Sequence, residues 1–573
     1  MQISDLGINK THLGIQGLNS ADKIEVMAMR LLRQVNDGKP LKDHQRLYIK
    51  ASSDYLPLVY KLEQVAYRVF GSDFVSIRLI EPEFEKLKAK YGGKDFDYHQ
   101  EFEQHMKTKG AAVLELSNDR NYFQEANLSP RETNELKASI QSDIDEQTKK
   151  ILELDTDEVF ETCLGYEDGD ALYIEAARDH MHQALQVAEA AYQKGTQKID
   201  LKIMDELPRY DLRKPLALYG SEHARNEPDF IEGARRKEYI KEGCPRLIFD
   251  GDHPYQFDGL GPSAHQNLSR RSSFVRGQIQ DIMQEALDEL PWCIYYSPTP
   301  LSAKAAGYTG FREAAIHAAK ITRKGELKAH IKKMQGIRDK INSLLEQGYN
   351  TIHYQSMDPK TRQADGKTDL YVELTNLSQF VCMGSETKNS KKKYTANVPS
   401  EETFSTPHRA KTRGKLCATR PAFFDGKKVD GIELEFGEDG KVDMSKVKAS
   451  TNEDVLINWL NDSEEAKQLG EAALVAGSQI FDTGLIFDNV LLDENATCHV
   501  ALGSCHKRTI KGALDLDAAD AKNMMREAGC NVDLPMLKHS DIMIGDQHMK
   551  VSLEDGEGDK EAKVLIENNQ FVI

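Results

Sequence analysis

The segment LYIKASSDYLPLVYKLEQVAYRVFGSDFVSIRLI, residues 47–80, decides the fold of the first half of the chain. It reads as a strand, an amphipathic helix, a turn at Gly71 and a second strand, because apolar runs flank a stretch with helical periodicity. Strands that alternate with helices are typical of parallel α/β layers. We therefore predict an α/β fold for this region.

The same pattern returns further along the chain. LYIKA at 47–51 is matched by LYIEA at 172–176, and the Ala-Tyr pair at 66–67 is matched by another at 191–192, at a common offset of 125 residues. Both matches keep one order, which favours duplication over chance. The first half therefore contains a partial internal repeat.

A later match extends this repeat with a different offset. Asp119 and Tyr122 correspond to Asp252 and Tyr255, which lie 133 residues further on. A small insertion explains the change. The second match supports duplication of this part of the chain.

After Thr368 the sequence changes to short alternating runs, such as TDLYVELT and GIELEFGEDGKV, punctuated by Gly and Asp. This composition is typical of a β-rich domain. We therefore predict three domains in an α/β chain. They are an additional α/β module at 1–150, an amino-terminal α/β domain of parallel layers at 151–365, and a β-rich α+β metal-binding domain at 366–573.

Composition argues against several classes of partner. The 573 residues include 92 acidic and 75 basic ones, and this formal net charge of -17 argues against binding of nucleic acid. No run approaches the roughly 18 apolar residues of a membrane span, and the first residues lack a secretory pattern. Eight scattered cysteines without a CxxC pair indicate reduced thiols. We expect a cytoplasmic protein with no membrane or nucleic-acid partner.

The strand HSDIMIG, residues 539–545, carries a candidate metal clamp. Alternate side chains of a strand share a face, so His539 and Asp541 point the same way while Ile542 and Ile544 point the other way. A histidine and a carboxylate so placed suit a metal ion. Taken alone, the pattern is a weak signal, because HxD occurs often and a structural ion pair is its more common explanation.

The segment LLDENATCHVALGSCHK, residues 491–507, adds a further donor. If CHVALG is a strand, His499 faces away from the apolar side formed by its neighbours, which makes it a ligand candidate. A thiolate site of Cys498, His499, Cys505 and His506 is the alternative. Structural zinc sites usually place cysteines two to four residues apart, so the six intervening residues fit poorly.

Two carboxylates complete the set of candidates. Glu402 lies in ANVPSEETFSTP, which we expect to be a loop made rigid by its prolines. Glu471 follows a predicted helix end, just ahead of the predicted strand EAALVAG. Each on its own would pass for an exposed acid.

Four segments together carry a specific resemblance. NVPSEETFSTP, LGEAALV, LLDENATCHVALG and HSDIMIG, in this order, resemble the signature segments of the thermophilic metalloprotease family, the metallo-aminopeptidases of the aminopeptidase T and aminopeptidase S type. The similarity is strong from about residue 366 to the end, weaker from about 157 to 350, and absent before about 150. The extra length coincides with the internal repeat.

The resemblance implies two divalent metal ions, which carboxylate and imidazole donors leave open as zinc, cobalt or manganese. It makes ligands of five residues: Glu402, Glu471, His499, His539 and Asp541. Five ligands suit two ions if one carboxylate bridges them. The implied reaction is attack of a two-metal-activated hydroxide on the first peptide bond of short peptides, by a homodimer.

Three remaining candidates, Asp493, Glu494 and His506, are given roles beside the metal ligands. Asp493 and Glu494 are expected to orient ligating histidines, with turn capping as the alternative. A catalytic role falls to Glu402 and to the position of His506, where the family pattern has a tyrosine. A histidine there can still donate a hydrogen bond to an oxyanion, but it titrates near pH 6.5.

A second interpretation is a pseudoenzyme that keeps the fold and serves as a binding or scaffolding module. The tyrosine-to-histidine departure at His506 and the long amino-terminal addition motivate it. A third keeps the metals and hydrolyses another amide. A retired site is expected to lose donors, whereas all five donors are present in this sequence.

Overall fold

The computed structural model describes residues 19–573, except 118, 141–143, 205–209, 229, 252–259, 534–537 and 557. Asp252 and Tyr255, which belong to the second match of the sequence repeat, lie outside the described residues. Among the described residues, none of the helices combines the length and apolarity needed to cross a bilayer.

Within the described residues the helices, in chain order, are α1 (Ser20–Leu32), α2 (Leu56–Phe70), α3 (Pro82–Tyr91), α4 (Tyr98–Thr108), α5 (Tyr122–Glu125), α6 (Pro130–Ala138), α7 (Glu146–Leu152), α8 (Thr156–Glu158), α9 (Met181–Gln193), α10 (Arg213–Tyr219), α11 (Glu222–Arg225), α12 (Phe230–Glu242), α13 (Pro262–Gln278), α14 (Gln280–Glu289), α15 (Pro300–Ala305), α16 (Phe311–Ile321), α17 (Leu327–Glu346), α18 (Glu453–Leu460), α19 (Val490–Glu494) and α20 (Ala518–Glu527).

The strands are β1 (Leu47–Ser52), β2 (Val75–Ile80), β3 (Ala112–Leu116), β4 (Leu172–Ala177), β5 (Ile199–Met204), β6 (Arg246–Asp250), β7 (Trp292–Tyr296), β8 (Thr351–Met357), β9 (Ala364–Leu374), β10 (Val381–Cys382), β11 (Ser385–Glu386), β12 (Lys393–Tyr394), β13 (Asn397–Val398), β14 (Glu402–Ser405), β15 (Pro407–Cys417), β16 (Ala422–Phe424), β17 (Lys427–Val429), β18 (Glu433–Phe436), β19 (Leu469–Val475), β20 (His499–Gly503), β21 (His539–Met543), β22 (Lys550–Glu554), β23 (Lys563–Glu567) and β24 (Gln570–Phe571).

The chain divides into two compact units. The first contains residues 1–145, 168–242 and 255–279, and the second contains residues 146–167, 243–254 and 280–573. Each unit is therefore assembled from segments that are distant in the sequence.

The first unit contains the repeat that the sequence predicts. Strand β1, a 3-10 turn, helix α2 and strand β2 follow one another, and β4, a 3-10 turn, α9 and β5 repeat that order. Both strand pairs are parallel, with Leu47 opposite Val75 and Leu172 opposite Ile199. The two copies thus share one plan.

The local sequence explains why each piece of the first copy forms. Helix α2 buries one apolar face, and it ends where Gly71 adopts φ 60°, a left-handed conformation that glycine takes without steric cost. The chain then returns as β2 beside β1, while β3 pairs with the other edge of β1. The predicted strand, helix, glycine turn and second strand are confirmed.

Buried polar contacts join the start of α4, which follows the first copy, to later segments of the same unit. The Glu238 carboxylate on α12 accepts hydrogen bonds from the backbone amides of Asp97 and Tyr98 at 2.8 and 2.7 Å, so it caps the start of α4. The buried Asp200 on β5 accepts hydrogen bonds from the hydroxyls of Tyr98 and Tyr239. The segment that begins α4 is therefore tied to α12 and to β5 of the second copy within the first unit.

The second unit begins with parallel strands and continues as antiparallel sheets. Strand β7 pairs in parallel with β6 and β13. Seven strands in the order β18-β15-β9-β8-β22-β23-β24 form one sheet, and five in the order β10-β14-β19-β20-β21 form another. The predicted combination of parallel α/β layers and a strand-rich carboxy-terminal part is confirmed.

Candidate metal centre

The five-stranded sheet places all five candidate ligands on one of its faces. Residues directly opposite each other in antiparallel strands share a face, as do alternate residues of one strand. Glu402 of β14 is opposite Val475 of β19, four residues beyond Glu471. On the next strand His499 is opposite Ala473. The donors of β14, β19 and β20 therefore point to the same side.

The last strand adds its two donors by the same register. Asp541 and Glu471 both pair with Ala501, from opposite sides of β20. His539 lies two residues before Asp541 on β21, so it shares that face. Adjacent strands thus bring together residues separated by up to 139 positions in the chain.

The structure corrects two expectations about the local setting. Glu402 is the first residue of β14 and not part of a loop, because its segment pairs with β19. Glu471 is the third residue of β19 rather than a residue ahead of it, and a 3-10 turn precedes that strand. The backbone of both residues is therefore held in place by the hydrogen bonds of the sheet.

The ligand atoms converge in two groups of three. Glu402, Glu471 and His499 form the first trio, and Glu471, His539 and Asp541 form the second, with the atoms of each trio within 4.8 Å of one another. Glu471 belongs to both. A carboxylate shared between two donor sets is the arrangement expected of a bridging ligand.

Distances in the first trio suit a tetrahedrally bound cation. Nε2 of His499 lies 3.3 Å from Oε2 of Glu402 and 3.4 Å from Oε1 of Glu471. Two ligands held at about 2.0–2.1 Å in tetrahedral geometry lie roughly 3.3 Å apart. The first trio therefore already has the spacing of a zinc-type site.

The second trio is similar but more open. Nε2 of His539 lies 3.1 Å from Oδ1 of Asp541 and 3.8 Å from Oε2 of Glu471. The His539 side chain is 39% exposed, whereas the Asp541 side chain is 8% exposed. Solvent therefore reaches the centre on the His539 side.

Backbone carbonyls orient both histidines. Nδ1 of His499 faces the carbonyl oxygen of Thr497 at 3.3 Å, and Nδ1 of His539 faces that of Ser504 at 2.9 Å. Each Nδ1 donates its proton to the carbonyl, which leaves the Nε2 lone pair for the trio. A second hydrogen bond of this kind is typical of metal-binding histidines.

The electrostatics of the centre favour a positive charge at its middle. Although burial opposes protonation, Glu402 and Glu471 raise the pKa of His499 well above its usual range. Burial likewise opposes protonation of His539, yet Asp541 and Glu471 raise its pKa to about 10. A proton on each histidine partly neutralises the surrounding carboxylates. A divalent cation in the same place would supply more positive charge.

One atom marks the centre as fitted to a cation. Oε2 of Glu402 is buried and makes no well-directed hydrogen bond, although Nε2 of His499 lies 3.3 Å away. Burial raises the pKa of the Glu402 carboxyl against the opposing effect of His499. Buried carboxylate oxygens are normally paired or bound to metal. The donor set, the spacing and this incompletely satisfied oxygen all fit divalent metal.

The carboxylate next to Glu402 belongs to a separate buried network. Glu401 accepts two hydrogen bonds from Arg323, from Nε at 3.0 Å and Nη2 at 2.6 Å. Its backbone amide donates to Oδ1 of Asn495 at 2.7 Å, and Nε2 of His330 donates to the carbonyl of Ser400 at 3.0 Å. These contacts fix the backbone that presents Glu402.

Asp493 lies where the turn-capping alternative places it. Its carboxylate accepts from Nη1 of Arg420 at 2.8 Å and from the backbone amides of Phe487 and Asn489 at 3.2 and 3.3 Å. It therefore braces the turn that leads into α19. The expected role of orienting a histidine falls instead to the backbone carbonyls of Thr497 and Ser504.

Glu494 lies within electrostatic range of the centre. Burial, together with the negative charges of Asp541 and Glu402, raises the pKa of Glu494 well above its usual range. Its Oε1 accepts from the side-chain amide of Asn495 at 3.3 Å. Its carboxyl therefore favours the protonated form more strongly than an exposed glutamate does, beside the candidate ligands.

His506 immediately precedes a 3-10 turn at Lys507–Thr509, within electrostatic range of Glu471 and His539. Its Nδ1 accepts from the backbone amide of Arg508 at 3.2 Å, and its ring meets that of Phe404 edge-on. Partial loss of hydration and then the charge of Arg508 lower the pKa of His506 below its usual value. The imidazole is therefore neutral at pH 7, with its proton on Nε2.

The alternative thiolate site does not form. Cys498 points to the other face of the sheet, where its Sγ contacts the backbone of Val475. Cys505 packs against Cys530 in an apolar cluster. Among the described residues the converging metal donors are carboxylates and imidazoles alone.

A mixed α/β fold whose strand-rich part gathers two overlapping trios of carboxylate and imidazole donors defines a metalloenzyme. Residues 148–571 match the family described as thermophilic metalloprotease (M29). The chain belongs to this family of hydrolases, as its four signature segments predicted. The first 147 residues lie outside the matched range.

Relatives and a solved structure agree with this assignment. Aminopeptidase T of Thermus aquaticus is 28% identical over 410 residues, which cover 69% of this chain and 92% of that protein. Aminopeptidase AmpS of Bacillus subtilis (strain 168) is 26% identical over 417 residues, with coverage of 70% and 94%. The structure of wild-type AmpT from Thermus thermophilus superposes with a TM-score of 0.62 at 25% identity, covering 74% of this chain and 99% of that one.

Proposed function

We propose that the chain is a metal-dependent aminopeptidase that removes amino-terminal residues from short peptides with two bound divalent ions. The observation that carries this proposal is the sharing of Glu471 between the two trios. Glu402, Glu471 and His499 would hold one ion, and Glu471, His539 and Asp541 the other. Zinc, cobalt and manganese all suit this donor set.

When bound, such a pair of ions lowers the pKa of a shared water and polarises the scissile carbonyl. The protein's own residues prepare this chemistry. The carbonyls of Thr497 and Ser504 keep each Nε2 free of a proton once metal is present, and the exposed His539 side leaves a path for a peptide. The activity named for the relatives thus has a matching site in this chain.

His506 is proposed to stabilise developing negative charge on the substrate. Because its Nδ1 accepts a hydrogen bond from Arg508, the neutral ring carries its proton on Nε2. A neutral N–H donor near the scissile carbonyl serves as an oxyanion donor. This gives a histidine the role that the family pattern assigns to tyrosine.

The same donor set argues against a retired enzyme. A chain kept only as a scaffold gains nothing from burying Glu402, Glu471 and Asp541 together, because buried carboxylates cost free energy unless enough positive charge pairs with them. All five donors are present and converge. The pseudoenzyme interpretation is therefore the weaker one.

Metal analysis of the purified protein, paired with release of amino-terminal residues from short peptides, tests the proposal. We expect two equivalents of metal per chain and release that stops with chelator and returns with added zinc, cobalt or manganese. A folded protein that takes up no metal and releases nothing under any of these ions would overturn it.

The organisation of the whole chain remains part of the proposal. We propose an additional module at 1–150, an α/β domain at 151–365 and the metallopeptidase domain at 366–573, supported by the repeated element order and by a family match that begins at 148.

We also propose that the protein is a homodimer, as the family resemblance implies. Analytical ultracentrifugation measures this oligomeric state. Eight free thiols support a reducing, cytoplasmic location.

A further inference from the structure

A small recess opens directly beside the second trio. His539 and Asp541 form part of its wall. The rest is mainly apolar and comes from the segment that enters β16, from the start of α19 and from the end of β21. These apolar residues are Pro421, Ala422, Phe423, Val490 and Met543. Because His539 and Asp541 belong both to this wall and to the second trio, a peptide held at the trios would have its first residue beside the recess.

The polar groups of the wall are already paired inside the protein. Asp493 binds Arg420 at 2.8 Å, and Nδ2 of Asn489 donates to Asp250 at 2.9 Å. The hydroxyl of Ser540 donates to the backbone carbonyl of Phe423 at 2.8 Å. Asp541 and His539 belong to the second trio, and the remaining acid of the wall, Asp493, is neutralised by a guanidinium, so the recess suits an apolar side chain better than a side-chain ammonium group.

The size of the recess limits what it accepts. Its volume is about 40 Å³. An apolar cavity of about 150 Å³ holds a benzene ring, and a single water needs roughly 10–15 Å³ on the same measure. The recess therefore has room for a methyl group or a little more, but not for an isobutyl group or a phenyl ring.

We propose that this recess receives the side chain of the substrate's first residue and selects alanine over leucine and phenylalanine. The inference rests on the proposed aminopeptidase function and adds the class of first residue to it. One methylene misfit in an apolar pocket is worth roughly 10–200-fold in kcat/KM. We therefore expect alanyl substrates to be favoured over leucyl ones by at least tenfold.

Two variants that widen the recess test the assignment. Val490 is 45% exposed at the rim, so Val490→Ala removes two methyl groups at small cost to folding. Phe423→Ala widens it from the opposite wall while keeping the carbonyl that Ser540 binds. Each is expected to raise the leucyl-to-alanyl ratio of kcat/KM on aminoacyl p-nitroanilides about tenfold. Ile486→Ala removes a similarly exposed aliphatic side chain outside the recess and is expected to leave the ratio unchanged.

A binding measurement separates this inference from the function on which it rests. Alanine hydroxamate and leucine hydroxamate chelate metal without being cleaved, so calorimetry on zinc-loaded protein reports the fit directly. We expect alanine hydroxamate to bind at least tenfold more tightly, and Val490→Ala to close the gap. Equal binding of the two, or equal turnover of alanyl and leucyl substrates by an active enzyme, overturns the recess and leaves the aminopeptidase standing. Tighter binding of alanine hydroxamate without any peptide hydrolysis overturns the aminopeptidase instead.

Discussion

Arg323 holds Glu401 by two hydrogen bonds, 3.0 Å from Nε and 2.6 Å from Nη2, in a place where the Glu401 side chain is only 2% exposed. This ion pair immediately precedes Glu402, a candidate ligand in the first trio. A charged pair so deeply buried has little net value in itself, but breaking it is costly. Its position suggests that it fixes the backbone that carries Glu402.

Replacing Arg323 with methionine should therefore leave an unpaired buried carboxylate. We expect the free energy of unfolding to fall by about 3–5 kcal/mol in urea titrations. Metal affinity should fall with it. The double variant Arg323→Met with Glu401→Gln should regain part of the stability, since no charge is then stranded.

Arg338→Met provides the matched control, because Arg338 pairs with its exposed neighbour Asp339 at the surface. Its effect should stay below about 1 kcal/mol. A loss for Arg323→Met no larger than for this control would show that the Glu401 pair does not support the site.

The stability of the chain should depend on pH through His330. Burial and then the charge of Arg323 lower the pKa of His330 from 6.5 to about 4. Between these values the unfolded chain binds a proton that the folded chain does not bind, so stability is fully present above pH 6.5 and falls as the pH decreases towards 4. The loss from this group amounts to about 3 kcal/mol.

His330→Gln keeps a donor for the Ser400 carbonyl and removes the titration. We expect its unfolding free energy to fall less than that of the unchanged protein between pH 7.5 and pH 4, by about the same 3 kcal/mol. Parallel curves for the two proteins over this range would contradict the assignment.

Much of this site follows from the sequence, and the reason is local. His539 and Asp541 share a strand face because alternation fixes it within three residues, and His499 opposes its apolar neighbours for the same reason. The four signature segments then bring Glu402 and Glu471 into the set. The alternation of side chains over a few adjacent positions depends only on the formation of the strand, so it can be predicted without knowledge of the rest of the fold.

The partners of these ligands could not be found in the same way. Arg323 and Glu401 are 78 residues apart, so only the folded chain brings them together. The carbonyls of Thr497 and Ser504, which orient the histidines, belong to the backbone and leave no mark in the choice of side chain. The sequence predicts that Asp493 orients a histidine, whereas in the structure it pairs with Arg420 from a distant segment.

Gly470 should prove essential for the orientation of His539. A Cβ at this position would overlap the carbonyl oxygens of Gly503 and Ser504, and the Ser504 carbonyl accepts from Nδ1 of His539. We expect Gly470→Ala to lower stability by about 1–3 kcal/mol and to weaken metal binding about 10–100-fold. Thermal unfolding and zinc titration measure the two effects.

The control is Gly336→Ala in the middle of α17, where a Cβ meets open space. It should raise stability by about 0.5–1 kcal/mol, because alanine is the better helix former. Unchanged zinc affinity in Gly470→Ala would mean that the Ser504 carbonyl is not needed to orient the histidine.

The shared position of Glu471 leads to an unequal effect of two conservative substitutions. Glu402→Gln removes a charged donor from the first trio alone, whereas Glu471→Gln removes one from both trios. After dialysis against zinc, we expect Glu402→Gln to keep about one equivalent of tightly bound metal and Glu471→Gln to keep almost none. Glu433→Gln, at an exposed surface pair with Lys448, should keep both. If Glu471→Gln retains as much metal as Glu402→Gln, the carboxylate does not bridge and the two trios are not a single two-metal centre.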